Sequence, residues 1–258
     1  MLKHFTHDGL RLAYLDRQDD GAHGTPVLLI HGFASKIDVN WVGPAWVKTL
    51  AGAGYRVIAI ENRGHGASDK PHDPAAYATP NMAADAVALL DHLGIQRAFV
   101  MGYSMGARIS AFVALLYPER VRALALGGLG IHLVEGVGLP IGIAEALEAP
   151  DKATITDPTQ RMFRLFAEAN KGDLLALAAC IRGSRQVLTR EEVAQIQAPT
   201  LISVGTNDPI AGPPQPLAML MPHARAFNIE GRDHNLAVGD KTHRAAVLAF
   251  FEEERGMV

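Results

Sequence analysis

The sequence predicts an α/β domain built on a mostly parallel sheet with helices on both faces, carrying a helical insertion. Three observations predict it. Short apolar runs rich in Val, Ile and Leu alternate with longer amphipathic stretches, the pattern of a sheet covered on both sides. Gly and Pro punctuate the ends of the longer stretches. The alternation stops at about residue 130 and resumes after residue 190, with helical patterns alone in between.

The elements follow in order. Residues 3–6 and 10–16 flank His7-Asp8-Gly9 and predict an opening hairpin. Residues 27–30 form a continuous apolar run, as expected of a strand buried on both faces. A helix is predicted over 41–53, ended by Gly54, and the next strand over 56–60. Pro80 near its start and Gly94 after its end delimit a helix over 80–93. A strand over 98–101, a helix over 105–117 stopped by Pro118, and a strand over 122–126 complete the first half. Helices are expected over 141–147, 158–169 and 173–182. Then follow a strand over 200–204, a short helix over 214–220, a strand over 224–229 and a closing helix over 241–254. No linker, repeat or low-complexity tract divides the chain. The expected organisation is a core of residues 1–129 and 191–258 with a helical cap over 130–190.

Bulk properties narrow the function classes. The 258 residues suffice for one large α/β domain, and a hydrophobic content of 48% argues for a packed core. A formal net charge of -3 gives no field that would draw the protein to nucleic acid or anionic membrane. No continuous apolar segment near Met1 has the form of a signal peptide, and a cytoplasmic protein is expected. A single cysteine, Cys180, excludes an intramolecular disulfide and reads as a small apolar residue in a helix. The 11 histidines include no H-E-x-x-H, and no C-x-x-C occurs, so neither metal nor cofactor is expected. Phosphate-binding glycine patterns are also missing. The expected partner is a small-molecule substrate; oligomeric state stays open.

In parallel sheets of this kind ligands sit at the C-terminal ends of strands, so the loops after strands hold the candidate chemistry. Gly102-Tyr103-Ser104-Met105-Gly106 follows a strand and opens a helix, the context the G-x-S-x-G motif requires. Glycines at 102 and 106 remove side chains that would collide with the adjoining strand and helix. The helix N-terminus behind Ser104 favours developing negative charge. A serine needs a base, and His234 follows the strand at 224–229. The histidine needs a carboxylate, and Asp208 follows the strand at 200–204. Asp233 adjoins His234 and is a poor candidate for that geometry. The strand at 122–126 ends in Gly127-Gly128-Leu129-Gly130 and offers no acid. His223 lies before a strand, on the wrong edge. His243, within the last helix, is expected at the surface.

An oxyanion hole needs two N–H donors. Met105, after the nucleophile, supplies one; Phe33 in His31-Gly32-Phe33 is expected to supply the other, with Gly32 permitting an unusual backbone turn. His31, Arg63 and His65 are expected to brace loops. Trp41 is assigned equally to pocket or core. In the insertion, Leu133, Val137, Leu139, Ile141, Ile143, Leu147, Met162, Phe163, Leu165 and Phe166 would divide between packing and an apolar pocket. Arg161, Arg164, Arg182 and Arg185 read as solvated helix residues.

Taken in order, His31-Gly32-Phe33, Asn62-Arg63-Gly64-His65-Gly66-Ala67-Ser68, the Ser104 pentapeptide, Asn207-Asp208-Pro209 and Asp233-His234-Asn235 resemble the α/β-hydrolase superfamily over nearly the whole chain. The resemblance implies an eight-stranded, mostly parallel sheet with the second strand antiparallel, a cap after the sixth strand, and a pocket between cap and core. Relatives of this fold that open epoxides or remove halide use an aspartate at the position of Ser104, which argues against both activities. The expectation is a serine hydrolase that cleaves an ester or lactone. Carbon–carbon bond hydrolysis, enol-lactone hydrolysis, cofactor-free perhydrolysis and a slow-turnover receptor stay open.

Overall fold

The structure is a computed structural model that describes residues 1–17, 24–136 and 138–256. Val137, among the expected cap residues, lies outside them. The chain opens with a hairpin of β1 (Lys3–His7) and β2 (Leu10–Arg17). Its two-residue turn, Asp8-Gly9, has φ 50° and 73°, the left-handed pair that matches strand twist. Then come β3 (Pro26–Ile30), α1 (Trp46–Gly52), β4 (Arg56–Ile60), α2 (Thr79–His92), β5 (Ala98–Tyr103), α3 (Met105–Leu116) and β6 (Val121–Gly127). Five α-helices follow among the described residues: α4 (His132–Glu135), α5 (Gly142–Glu148), α6 (Pro158–Ala169), α7 (Leu174–Gly183) and α8 (Arg190–Val193). The chain closes with β7 (Thr200–Gly205), α9 (Pro214–Ala218), β8 (Ala224–Ile229), α10 (His234–Ala237) and α11 (Lys241–Gly256).

The strands form one sheet in the order β1-β2-β4-β3-β5-β6-β7-β8. β2 runs antiparallel to both neighbours, and β3 to β8 are parallel. This is the α/β-hydrolase fold. Apolar clusters cover both faces, one around Leu28, Ile30 and Val100 and the other around Leu29, Phe99 and Phe251. The chain steps from β3 outward to β4, then returns past β3 to β5, so the topological switch lies between β3 and β5. Ile30 pairs with Gly102 there, which lays His31-Gly32-Phe33 alongside Tyr103-Ser104-Met105.

The structure changes some expectations. The helix expected over 41–53 is two pieces: a π-type turn at Asp38–Val42, then α1 from Trp46. Gly43 and Pro44 intervene and Ala45 takes φ 66°; Pro44 has no N–H to continue a helix. Trp41 is fully buried in the core beside Trp46. His243 is not at the surface. It is buried, donates Nδ1–H to Ala237 O at 3.0 Å, and packs edge-on against Trp46. Its helix turns that face to the sheet, and charged neighbours in sequence hid the fact.

The helices between β6 and β7 lie over the strand-end loops. Phe163 of α6 packs on Phe33 with ring centroids 6.0 Å apart, and Asn170 donates to Ala34 O at 3.1 Å. Arg164 is not solvated. It is buried, pairs with Glu168, and donates to the carbonyls of Ala146, Leu147 and Ala149 at the end of α5. No helix among the described residues is long and apolar enough to cross a membrane.

Candidate active site

The turn between β5 and α3 is too tight for side chains on either flank of Ser104. A Cβ on Gly102 would strike Gly106 O and Ser110 Oγ; one on Gly106 would strike Ile30 O and His31 O. Ser104 itself sits at φ 56°, ψ −117°, a backbone region that costs a non-glycine residue about 1–3 kcal/mol. Its N–H donates to Gly127 O at 2.8 Å, which ties the turn to β6. The hydroxyl is thereby raised above the sheet edge, partly exposed.

His234 and Asp208 arrive from the ends of β8 and β7. His234 Nδ1 lies 2.7 Å from Asp208 Oδ2, and Nε2 lies 2.9 Å from Ser104 Oγ. An ionised carboxylate accepts only, so Nδ1 carries the proton and Nε2 presents its lone pair to the serine hydroxyl. The other oxygen of Asp208 accepts from the N–H groups of Ile210 and Ala211 at 2.8 and 3.1 Å. The carboxylate is fully buried and fixed in rotation. Asp233 instead caps α10, accepting from Asn235 and Leu236 N–H. That bond geometry starts the turn that carries His234.

Tyr103 is a residue that the sequence did not single out. Its phenol donates to His234 O at 2.6 Å and pins the histidine's backbone. Burial raises its pKa well above the ordinary phenol value, so it stays a donor. The only sequence signal was its place in the pentapeptide, which any residue type satisfies.

The loop after β3 is braced as expected. His31 Nε2 accepts from Asn62 N–H at 3.1 Å while Nδ1 donates to Gly32 O at 2.8 Å. Burial, with His65 beside it, lowers the His31 pKa to about 3 and keeps it neutral. His65 accepts from Ala34 N–H, and Arg63 forks onto Asp85. Gly32 stands in a crowded place and does not take a left-handed dihedral. A Cβ there would lie 3.2 Å from Tyr103 O, while the left-handed residue of the loop is Ala34 at φ 54°. Asn40 Oδ1 accepts the Gly32 N–H at 3.0 Å. The N–H groups of Phe33 and Met105 donate to no protein acceptor among the described residues.

Ser104 stands where two cavities meet. A cleft of about 890 Å³ opens between the Val39–Pro44 side, Met162, Phe163 and Phe166 of α6, and the 234–244 segment. A chamber of about 90 Å³ lies behind, between α3 and the inserted helices. Cys180 packs near this wall, its Sγ 3.7 Å from Met105 Sδ; burial pushes its thiol pKa up to about 12. Among the described residues, no group of three or more His, Cys, Asp or Glu could hold a metal ion.

Residues 25–136 match a family model described as "alpha/beta hydrolase fold". The chain is 36% identical over 115 residues to epoxide hydrolase B of Mycobacterium tuberculosis, a match that covers 43% of this chain and 31% of that protein. The match therefore spans about a third of that relative's length. It is 29% identical over 169 residues to 3-oxoadipate enol-lactonase 2 of Acinetobacter baylyi, covering 60% and 62% of the two chains. Among solved structures it is similar to a hydrolase from Pseudomonas aeruginosa, with TM-score 0.77 and 24% identity over 97% of this chain and 98% of that one.

Proposed function

The chain is an α/β-hydrolase by fold, and on that premise we propose that it cleaves a carboxylic ester or lactone of a small to medium substrate through an acyl-enzyme. The observation that carries this is the run of hydrogen bonds from Asp208 through His234 to Ser104, 2.7 and 2.9 Å long. His234 Nε2 takes the hydroxyl proton as Ser104 Oγ bonds to the carbonyl carbon. The N–H groups of Phe33 and Met105 hold the oxyanion. The tetrahedral adduct collapses, and His234 returns the proton to the departing alkoxide. Water then gives a proton to His234 and attacks the acyl-enzyme, releasing the acid and restoring Ser104.

Serine at position 104 argues against epoxide opening despite the matched epoxide hydrolase. Attack on an epoxide by a serine would leave an ether, which water cannot release; a carboxylate nucleophile leaves a hydrolysable ester. The same triad would serve carbon–carbon bond hydrolysis or perhydrolysis, and product analysis separates these. The 130–190 segment acts as the cap, and its contacts with Phe33 and Ala34 support that role. Small net charge and one buried cysteine support a cytoplasmic enzyme without cofactor, acting on a small molecule and not on nucleic acid or membrane.

The test uses a fluorophosphonate probe with intact-mass detection. Ser104 Oγ of the parent protein is expected to displace fluoride from the probe's phosphorus and retain one phosphonyl adduct, and Ser104→Ala none. Turnover of an ester by Ser104→Ala should fall by about 10⁶. A well-folded parent that takes no adduct and cleaves no ester would favour a ligand receptor of this fold.

A further inference from the structure

We propose that the chamber behind Ser104 is an acyl pocket for a short chain ending in a carboxylate, recognised by Arg108. This rests on the serine-hydrolase function proposed above and deepens it by naming the acyl class.

Arg108 lies on α3, one helical turn beyond the nucleophile, and only 5% of it is exposed. Nη1 donates to Leu133 O and Gln186 O at 3.1 and 3.3 Å; Nη2 donates to His132 O and Gly136 O at 2.8 and 2.7 Å. All four acceptors are neutral carbonyls. They fix the guanidinium in place, and no carboxylate among the described residues pairs with it. The fifth donor, Nε–H, has no protein partner among the described residues. Arg185 adds a second positive charge beside it and, among the described residues, bonds Leu139 O. By contrast Arg164, Arg182 and Arg190 of the same segment each pair with a glutamate. Burying a guanidinium without a counter-charge is expensive. Burial, with Arg185 beside it, pulls the Arg108 pKa down to about 10. His132 also lines the chamber. Its Nδ1–H is held by Ile210 O at 2.7 Å, leaving Nε2 as a further polar contact.

The dimensions set the chain length. Four residues of α-helix advance about 6 Å, the distance along α3 from Ser104 to Arg108. A chamber of about 90 Å³ holds roughly six to nine water-sized atoms, at about 10–15 Å³ each. Leu129, Leu139 and Ile181 supply apolar wall for methylenes. A succinyl to adipyl half-ester fits these limits, and the large cleft takes the alcohol.

The experiment compares benzyl hydrogen glutarate with its neutral isostere, benzyl glutaramate, by benzyl alcohol release from the full chain. The parent is expected to favour the carboxylate by about 10- to 100-fold in kcat/KM, the range of one charge-assisted hydrogen bond. Free glutarate should slow fluorophosphonate labelling of Ser104. Arg108→Met should lose the preference through the carboxylate ester alone. Because Arg108 also ties α3 to the inserted helices, Arg185→Gln is the second variant, expected to reduce the preference several-fold. Equal rates on the two esters, with Ser104 labelled, would overturn this inference and leave the serine-hydrolase function standing. Failure on both esters with cleavage of 4-nitrophenyl butyrate would do the same. No Ser104 adduct and no cleavage of any ester would remove both.

Discussion

At Ser104 the backbone sits where an L side chain is strained, and the surrounding turn sets what each neighbour must be. Tyr103 is the neighbour with a separable role, because its phenol donates to the His234 carbonyl. Tyr103→Phe keeps the ring and removes that bond. Misplacement of a catalytic group by about an ångström costs up to about 10² in rate, so a kcat reduced by roughly tenfold with little change in KM is expected. Steady-state kinetics checks this; a raised KM with kcat intact would show that Tyr103 binds substrate instead. The positions of Ser104, Asp208 and His234 were legible one by one, each on a loop directly after a strand. Tyr103 and Arg108 were not, since their partners are backbone carbonyls far away in sequence, and any carbonyl looks alike in a sequence.

Among the elements, α3 approaches the end of β3 at its first turn. Gly106 lies in its first turn, where alanine would ordinarily gain about 1 kcal/mol of helix propensity. Contact with Ile30 O and His31 O reverses the sign. Gly106→Ala is expected to destabilise by about 1–3 kcal/mol, as overpacking does. That lowers Tm by roughly 2–12 °C in a domain of this size. A thermal melt decides it, and an unchanged or raised Tm would mean that the strand end yields. Element type was legible in α6, whose bounds match residue for residue. The region 41–53 was misread because its apolar spacing spans Gly43-Pro44, and the backbone breaks there for want of an N–H.

Across the whole molecule, three buried histidines tie stability to pH. Burial holds His31 at about 3 and His65 and His243 at about 4, against an ordinary 6.5. Between pH 6.5 and 4 the unfolded chain binds protons at these sites and the folded chain does not. Stability is therefore full above about pH 6.5 and falls as pH drops toward 4, by up to about 4 kcal/mol per pH unit for three groups. Urea midpoints measured across that window should decline steadily; a flat profile would show that these sites are hydrated or paired. Only folding makes these residues alike, because His31 sits in a loop, His65 in a turn and His243 on a helix. What the sequence determined by itself was local: strand and helix periods, the strand–turn–helix around Ser104, and the placement of Asp208 and His234 on loops after strands. What only the tertiary structure decided was which distant groups share a space. The switch between β3 and β5 laid Phe33 beside Met105, and the inserted helices closed a chamber around Arg108. The physical reason is that burial and electrostatics depend on neighbours across the chain, whereas hydrophobic period and turn chemistry are written in adjacent residues.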